Sequence, residues 1–344
     1  MRDAPLVIAR PTLIDVAKAA DVHASTASRA LNPETRGVVS DTTVARVLAA
    51  AEELGYRPHL LARGLRTAKT MTVGIVVPDL ENPLFPPLVR GAEAALSAEG
   101  YTLLIGNTDN ELEHTEAIIS TLVERRVDGL ILATAERGSG LAAAVESEGI
   151  HVVLVNREST DGSVSAIIGD DDVGIGMAID HLVELGHSAI GHVAGPPALS
   201  TGFGRCEAFR AHMNRHGLPL EGRVEVADWF QVAPGARATS ALLLRNPDLT
   251  AIVAGNDLLA LGALRALHDA ERSVPEDISL TGYNDMPFVD LVQPPLTTVG
   301  LPYREMGSMA AFELLTRMRG EGDGPQVTRL RPTLRVRAST KPPR

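Results

Sequence analysis

The sequence predicts an α/β protein: a small all-α head at the N-terminus, then a larger body of two doubly wound parallel α/β lobes. Three observations carry this prediction. The first 70 residues read as short helices. From Val73 onward, apolar strand segments alternate with amphipathic helices, the pattern of parallel sheets covered on both faces. That order of segments then occurs twice. At 344 residues the chain exceeds one ordinary domain, and a hydrophobic content of 44% is enough for a sizeable core.

Composition narrows the function. A single cysteine, Cys206, excludes an internal disulfide framework and fits a reducing cytoplasm. The N-terminal run Leu6–Ala9 is too short for a signal-peptide core, and no stretch reaches the length of a membrane span, so a soluble cytoplasmic protein with no membrane partner is expected. The formal net charge is −11, yet it is unevenly spread. Residues 1–70 hold 10 Lys and Arg against 7 Asp and Glu, whereas the remainder holds 22 against 36. A basic head on an acidic body leaves the head to meet phosphates while the body repels them.

Within the head, Thr12 and Asp15 form a T-x-x-D helix start, followed by Leu13, Val16, Ala17 and Ala20 at helical spacing. Asp21 breaks the run, Val22 is the buried residue of a tight turn, and 25–32 reads as a second short helix with Ala27, Ala30 and Leu31 inward. Two short helices joined this way make a helix-turn-helix, whose second helix enters the major groove. Ala24, Ser25, Ser28 and Arg29 face outward, small or hydrogen-bonding groups suited to base edges and phosphates. A third helix opens near Ser40, with Val44, Val47, Leu48, Ala51 and Leu54 as its apolar stripe, and closes at Gly55. The pattern alone also fits a three-helix bundle with no DNA role.

In the body, strand candidates lie at 73–77, 102–106, 129–133, 152–155, 165–168, 189–194, 251–255 and 278–282, with amphipathic helices such as 88–99 and 115–125 between them. Two similar lobes imply a cleft, and ligands of open parallel sheets bind beyond the carboxyl ends of strands. Polar groups follow several strands at once: Asp79 and Asn82, Asn156 and Arg157, Asn256 and Asp257, Asn284 and Asp285. Arg205 comes after a glycine-rich loop, Gly202–Gly204. Such groups suit a ligand rich in hydroxyls, and Phe85, Trp229 and Phe230 are the rings placed to stack on its apolar face.

The stretch from Thr12 to Thr67 resembles the headpiece of the lactose/galactose-repressor family. The matching runs are Asp15-Val16-Ala17, Ser28-Arg29-Ala30-Leu31-Asn32 and Leu54-Gly55-Tyr56-Arg57-Pro58. The segment 59–67 resembles that family's hinge helix, which orders on the operator and inserts a leucine, here Leu65, at a central base step. The resemblance implies a DNA-contacting set of Thr12, Leu13, Ala24, Ser25, Thr26, Ser28, Arg29, Asn32, Tyr56, His59, Ala62 and Leu65. One departure is Asp21, where the family often has glycine; aspartate tolerates the left-handed conformation better than most residues.

The body resembles the periplasmic-binding-protein type of the same family, in which the chain crosses three times between lobes. The crossings are expected near 168–170, 293–297 and 323–328. The implied domains are a 1–58 headpiece, a 59–70 hinge and linker, a first lobe of 71–168 with 296–323, and a second lobe of 169–295 with 324–344. Leu84, Phe85, Asn156, Thr201, Arg205, Asn256, Asp257 and Asn284 match effector-contacting positions of the family, with Asn284 in place of the more usual aspartate. The resemblance implies a homodimeric transcription regulator, most simply a repressor. It would bind a palindromic operator and be controlled allosterically by a small polar, sugar-like effector between the lobes.

The competing reading is a two-domain α/β sugar-metabolising enzyme with an accessory helical head. Gly174-Ile175-Gly176 and Gly202-Phe203-Gly204 are incomplete glycine fingerprints, and neither a G-x-S-x-G nor a P-loop is present. No cofactor is expected. His212 and His216 read as exposed surface histidines rather than metal ligands, and Cys206 as a helical core thiol.

Overall fold

The computed structural model describes residues 11–32, 35–56, 69–322 and 324–344. The chain divides into two compact units, residues 1–70 and 71–344. The expected hinge helix, with His59, Ala62 and Leu65, lies outside the described residues.

In the head, α1 (Leu13–Ala19) begins with a reciprocal cap. The Thr12 hydroxyl accepts from the Asp15 amide, while the Asp15 carboxylate accepts from the Thr12 amide at 2.8 Å. Asp21 takes φ 47° in the turn, the left-handed conformation anticipated for it. The second helix, α2 (Ala24–Leu31), starts one residue earlier than read from sequence because His23 caps it, its ring accepting from the Ser25 amide. At its far end Arg36 Nε donates to the Ala30 carbonyl at 3.0 Å, satisfying a helix-terminal acceptor. The third helix, α3 (Asp41–Glu53), is capped by Ser40 and followed by Gly55 at φ 61°.

The head core is Val16, Ala17, Ala20, Ala27, Ala30, Val44, Val47, Ala50 and Ala51. Such small side chains let helices approach closely but contribute little each, so caps carry a larger share of the head's stability. Leu48 and Leu54, expected in the apolar stripe, are 39% and 38% exposed. The inward face of α3 is set by Val44, Val47 and Ala51, with Ala50 beside them.

The body contains two six-stranded sheets. The first has the order β11-β5-β4-β3-β1-β2, all parallel. It is formed by β1 (Thr72–Val77), β2 (Thr102–Asn107), β3 (Gly129–Leu132), β4 (His151–Val155), β5 (Ser165–Gly169) and β11 (Val327–Leu330). The second has the order β12-β10-β9-β8-β6-β7, from β6 (Ile190–Ala194), β7 (Val224–Val226), β8 (Ala251–Ala254), β9 (Ser279–Asn284), β10 (Thr297–Gly300) and β12 (Thr333–Arg335). Only β12 runs antiparallel, against β10.

Two predicted crossings are therefore corrected. The strand Thr297–Gly300 belongs to the second sheet, so the second crossing falls at 301–302 rather than 293–297. The strand Val327–Leu330 extends the first sheet, so the third falls at 331–332 rather than 323–328. Both strands are short and were missed because neither forms an apolar run.

Helices cover both faces of each sheet. In the first lobe, α4 (Phe85–Ala98) packs against α11 (Tyr303–Met318). Their backbones approach through Gly91 and Gly307, where an added Cβ would lie 1.9 Å from the Arg304 and Leu88 carbonyl oxygens, respectively. In the second lobe α9 (Val232–Arg245) and α10 (Asp257–Asp269) meet similarly at Gly235 and Gly262. One apolar cluster runs through both lobes, from Val73 and Ile131 to Phe209, Tyr283 and Leu301.

Candidate functional site

On the head, Ser25 and Arg29 of α2 are exposed, as is Thr12, while Thr26, Ser28 and Asn32 are half-buried. Leu13, Ala24 and Tyr56 pack against the head core, so their first role is to hold α2 in place. Sequence reasoning missed His23, which is exposed at the start of α2 with its ring nitrogen 2.8 Å from the Ser25 hydroxyl. Its signal was present: a side-chain acceptor immediately before a helix.

In the body a cleft partly open to solvent lies between the lobes. It is bounded by carboxyl ends of strands: Pro78 and Asp79 after β1, Asn156 and Arg157 after β4, Asn256 after β8, and Asn284 ending β9. Asn82, Leu84 and Phe85 come from the start of α4. Leu199, Thr201 and Arg205 come from α8 (Ser200–Arg215), and Trp229, Phe230 and Gln231 precede α9. Asn156 and Asn284 sit at φ 62° and 117°, left-handed values that asparagine adopts more readily than most residues. At Asn284 the side-chain oxygen accepts from Tyr303 Oη at 2.7 Å. Asn256 caps α10, accepting from the Leu259 amide at 2.8 Å, which leaves its amide nitrogen to meet a ligand.

Arg205 is the centre of the second-lobe wall. The run Gly202-Phe203-Gly204 is not a loop, as expected, but the first turns of α8. An added Cβ at Gly202 would lie 2.0 Å from the Pro196 carbonyl oxygen, so glycine is what brings the helix start against that segment. Arg205 is 3% exposed; its Nε donates to Asp171 at 2.9 Å, and Nη1 donates to the Gly255 carbonyl at 2.9 Å. The guanidinium lies 3.9 Å from the Tyr283 ring centroid. Burial opposes its charge, but Asp171 and the two tyrosines around it outweigh that penalty and hold it protonated. Phe230 stands on Gly195, where no Cβ could be accommodated, and turns its ring toward Arg205 at 6.0 Å.

One predicted contact is overturned. Asp257 is fully buried and does not line the cleft. Its carboxylate accepts from Thr298 Oγ1 at 2.5 Å and from the Met286 amide at 2.8 Å, tying α10 to the strands beneath. Burial pushes its pKa up to about 7, and those two hydrogen bonds pull the other way. The remaining predicted residues do line the cleft. Asn110, Leu199 and Gln231 do so as well, and sequence reasoning missed them.

His212 is buried, not exposed. It lies against Gly176 and 3.3 Å from Asp172, while His216 is exposed, as expected, and bonded to Asp180. Cys206 is half-buried on α8, and burial raises its pKa, away from an activated thiol. Among the described residues no helix is long and apolar enough to cross a membrane.

Two family profiles match the chain: bacterial regulatory proteins, lacI family, over residues 12–59, and periplasmic binding protein-like domain over 179–340. The ribose operon repressor of Escherichia coli K12 is 33% identical over 329 residues, covering 95% of this chain and 99% of that protein. The chain belongs to the LacI family. Solved structures of LacI-type regulators agree. A complex of the transcriptional regulator CelR with cellobiose is 32% identical with a TM-score of 0.74, covering 96% of this chain and 100% of its own. The lac repressor dimer bound to operator and an anti-inducer is 26% identical with a TM-score of 0.85, covering 96% and 99%. This LacI-family chain thus joins a DNA-binding head containing α1, α2 and α3 to an effector-type body.

Proposed function

We propose that the protein is a homodimeric repressor that binds a palindromic operator and is controlled by a polyhydroxylated ligand in the interlobe cleft. The convergence of Asn156, Thr201, Arg205, Gln231, Asn256 and Asn284 on one cleft carries the reading, since paired donors and acceptors beside Phe85, Trp229 and Phe230 suit a sugar ring. The cellobiose complex and the ribose repressor among the relatives support that ligand class. The lac repressor dimer on its operator supports the dimer. On the head, Ser25, Ser28 and Arg29 read the major groove, and His59, Ala62 and Leu65 contact the minor groove from the hinge. The lobes are 71–168 with 302–318 and 327–330, and 170–300 with 333–344.

The test is selection of a duplex from a random pool by the full chain, followed by operator titrations with and without a panel of pentoses, hexoses and disaccharides. A two-fold symmetric site whose affinity shifts with one sugar is the expected result. An asymmetric site bound by a monomer, or turnover of the sugar, would overturn the reading.

A further inference from the structure

We infer that the ligand carries a single carboxylate, as a sugar acid does, and that Arg157 is the residue that selects it. This rests on the effector reading of the cleft and narrows its ligand class. Arg157 follows Asn156 at the end of β4, is 6% exposed, and lines both the cleft and an adjoining cavity bounded by Thr108, Thr134, Glu136 and the exposed Glu111. Its own surroundings do not satisfy it. Nη1 reaches only the Ala135 carbonyl, at 3.5 Å, beyond good hydrogen-bond length, and the buried Nε has no acceptor. Among the described residues no carboxylate lies within ion-pair distance of it; Glu136 acts on it only from further away. Burial lowers its pKa to about 10, which still leaves it charged at neutral pH.

Charge balance across the cleft isolates this residue. Arg205 is already matched by Asp171. Asp79, at the rim, is half-buried and accepts from the Glu81 amide. The other polar groups facing the space are uncharged amides and a hydroxyl: Asn82, Asn110, Asn156, Thr201, Gln231, Asn256 and Asn284. One buried guanidinium is left without a direct ion-pair partner, with Glu136 acting only from further away, a costly state that a ligand anion would relieve. A carboxylate matches the planar fork with two parallel hydrogen bonds and one negative charge. A phosphate monoester brings nearly two charges, one more than this cleft answers. The amides then serve the hydroxyls, as in a neutral sugar.

Calorimetry and thermal-shift measurements on the full chain, using matched pairs, test this: D-ribonate against D-ribose, D-gluconate and D-glucuronate against D-glucose, with ribose 5-phosphate as a separate arm. An acid should bind at least tenfold more tightly than its neutral parent. Arg157→Gln should erase that preference and, by removing an unpaired buried charge, raise the ligand-free melting temperature. A neutral parent that binds as tightly as its acid defeats the inference while leaving the effector reading intact. A preference retained in Arg157→Gln, a lower ligand-free melting temperature, or stronger binding of the phosphate ester also defeats it. A panel in which nothing binds counts against both readings.

Discussion

Replacing Arg205 with alanine removes one guanidinium from two tasks, and the structure lets them be separated. The side chain is 4% exposed and holds Asp171, itself 18% exposed, together with the Gly255 carbonyl. Its loss leaves a partly buried carboxylate and a backbone acceptor without partners. Breaking such a buried pair costs about 3–5 kcal/mol. At roughly 2–4 °C per kcal/mol for a domain of this size, the body should melt about 6–20 °C lower. Effector affinity should fall as well, since a charge-assisted bond to a ligand is worth on the order of 2–4 kcal/mol, or about 30- to 1000-fold. Adding Asp171→Asn removes the stranded charge. The double variant should regain most of the stability and none of the affinity. Denaturant melts and calorimetry on wild type, both single variants and the double variant give the cycle. If the double variant recovers binding, Arg205 serves only to neutralise Asp171, and if Arg205→Ala changes neither quantity, the geometry has been misread.

Asp257 should make stability depend on pH. Its folded pKa of about 7 exceeds the unfolded value of about 3.9, so folding takes up a proton between these values. The body is then most favoured below about pH 4 as far as this group is concerned, and loses up to about 4 kcal/mol as pH rises to about 7. Asp257→Asn, whose amide can still accept from Met286 and donate to Thr298, should flatten that slope; equal slopes in urea melts at pH 5 and pH 8 would refute the assignment. Gly91→Ala should destabilise the first lobe by about 1–3 kcal/mol or more, because the new methyl group meets the Arg304 carbonyl; an unchanged midpoint would show that α4 and α11 can separate freely. Leu65→Ala should weaken specific operator binding by about 1–3 kcal/mol with random-duplex binding nearly intact, whereas Arg29→Ala should also flatten the salt dependence. Equal losses on both duplexes for Leu65→Ala would make it a packing residue.

Local chemistry was legible in the linear chain. The reciprocal cap of Thr12 and Asp15, the left-handed Asp21, the Gly55 stop and the strand-end asparagines all arise from residues within a few positions of one another. The 3.6-residue and strand periods placed most central elements for the same reason. Where the reading failed, the deciding partner was distant. Gly202-Phe203-Gly204 looked like a loop because glycine disfavours helix, yet close packing on Pro196 needs that glycine in the helix. His212 looked exposed by residue type, but a gap at Gly176 receives its ring.

The sequence by itself determined the small capped head, the strand–helix alternation, the likeness of the two lobes and the polar groups at strand ends, all signals carried by neighbouring residues. Tertiary structure alone decided which of those groups share the cleft. Asp257 turned inward because Thr298 and Met286, 41 and 29 residues away, offered donors that a buried carboxylate needs. Arg205 became a keystone because Asp171 and Gly255, 34 and 50 residues away, closed around it. The short strands β10, β11 and β12 were likewise set by pairing with strands already in place. A hydrogen-bond partner contributed by another segment leaves no mark on the local pattern, so only the folded chain could place these residues.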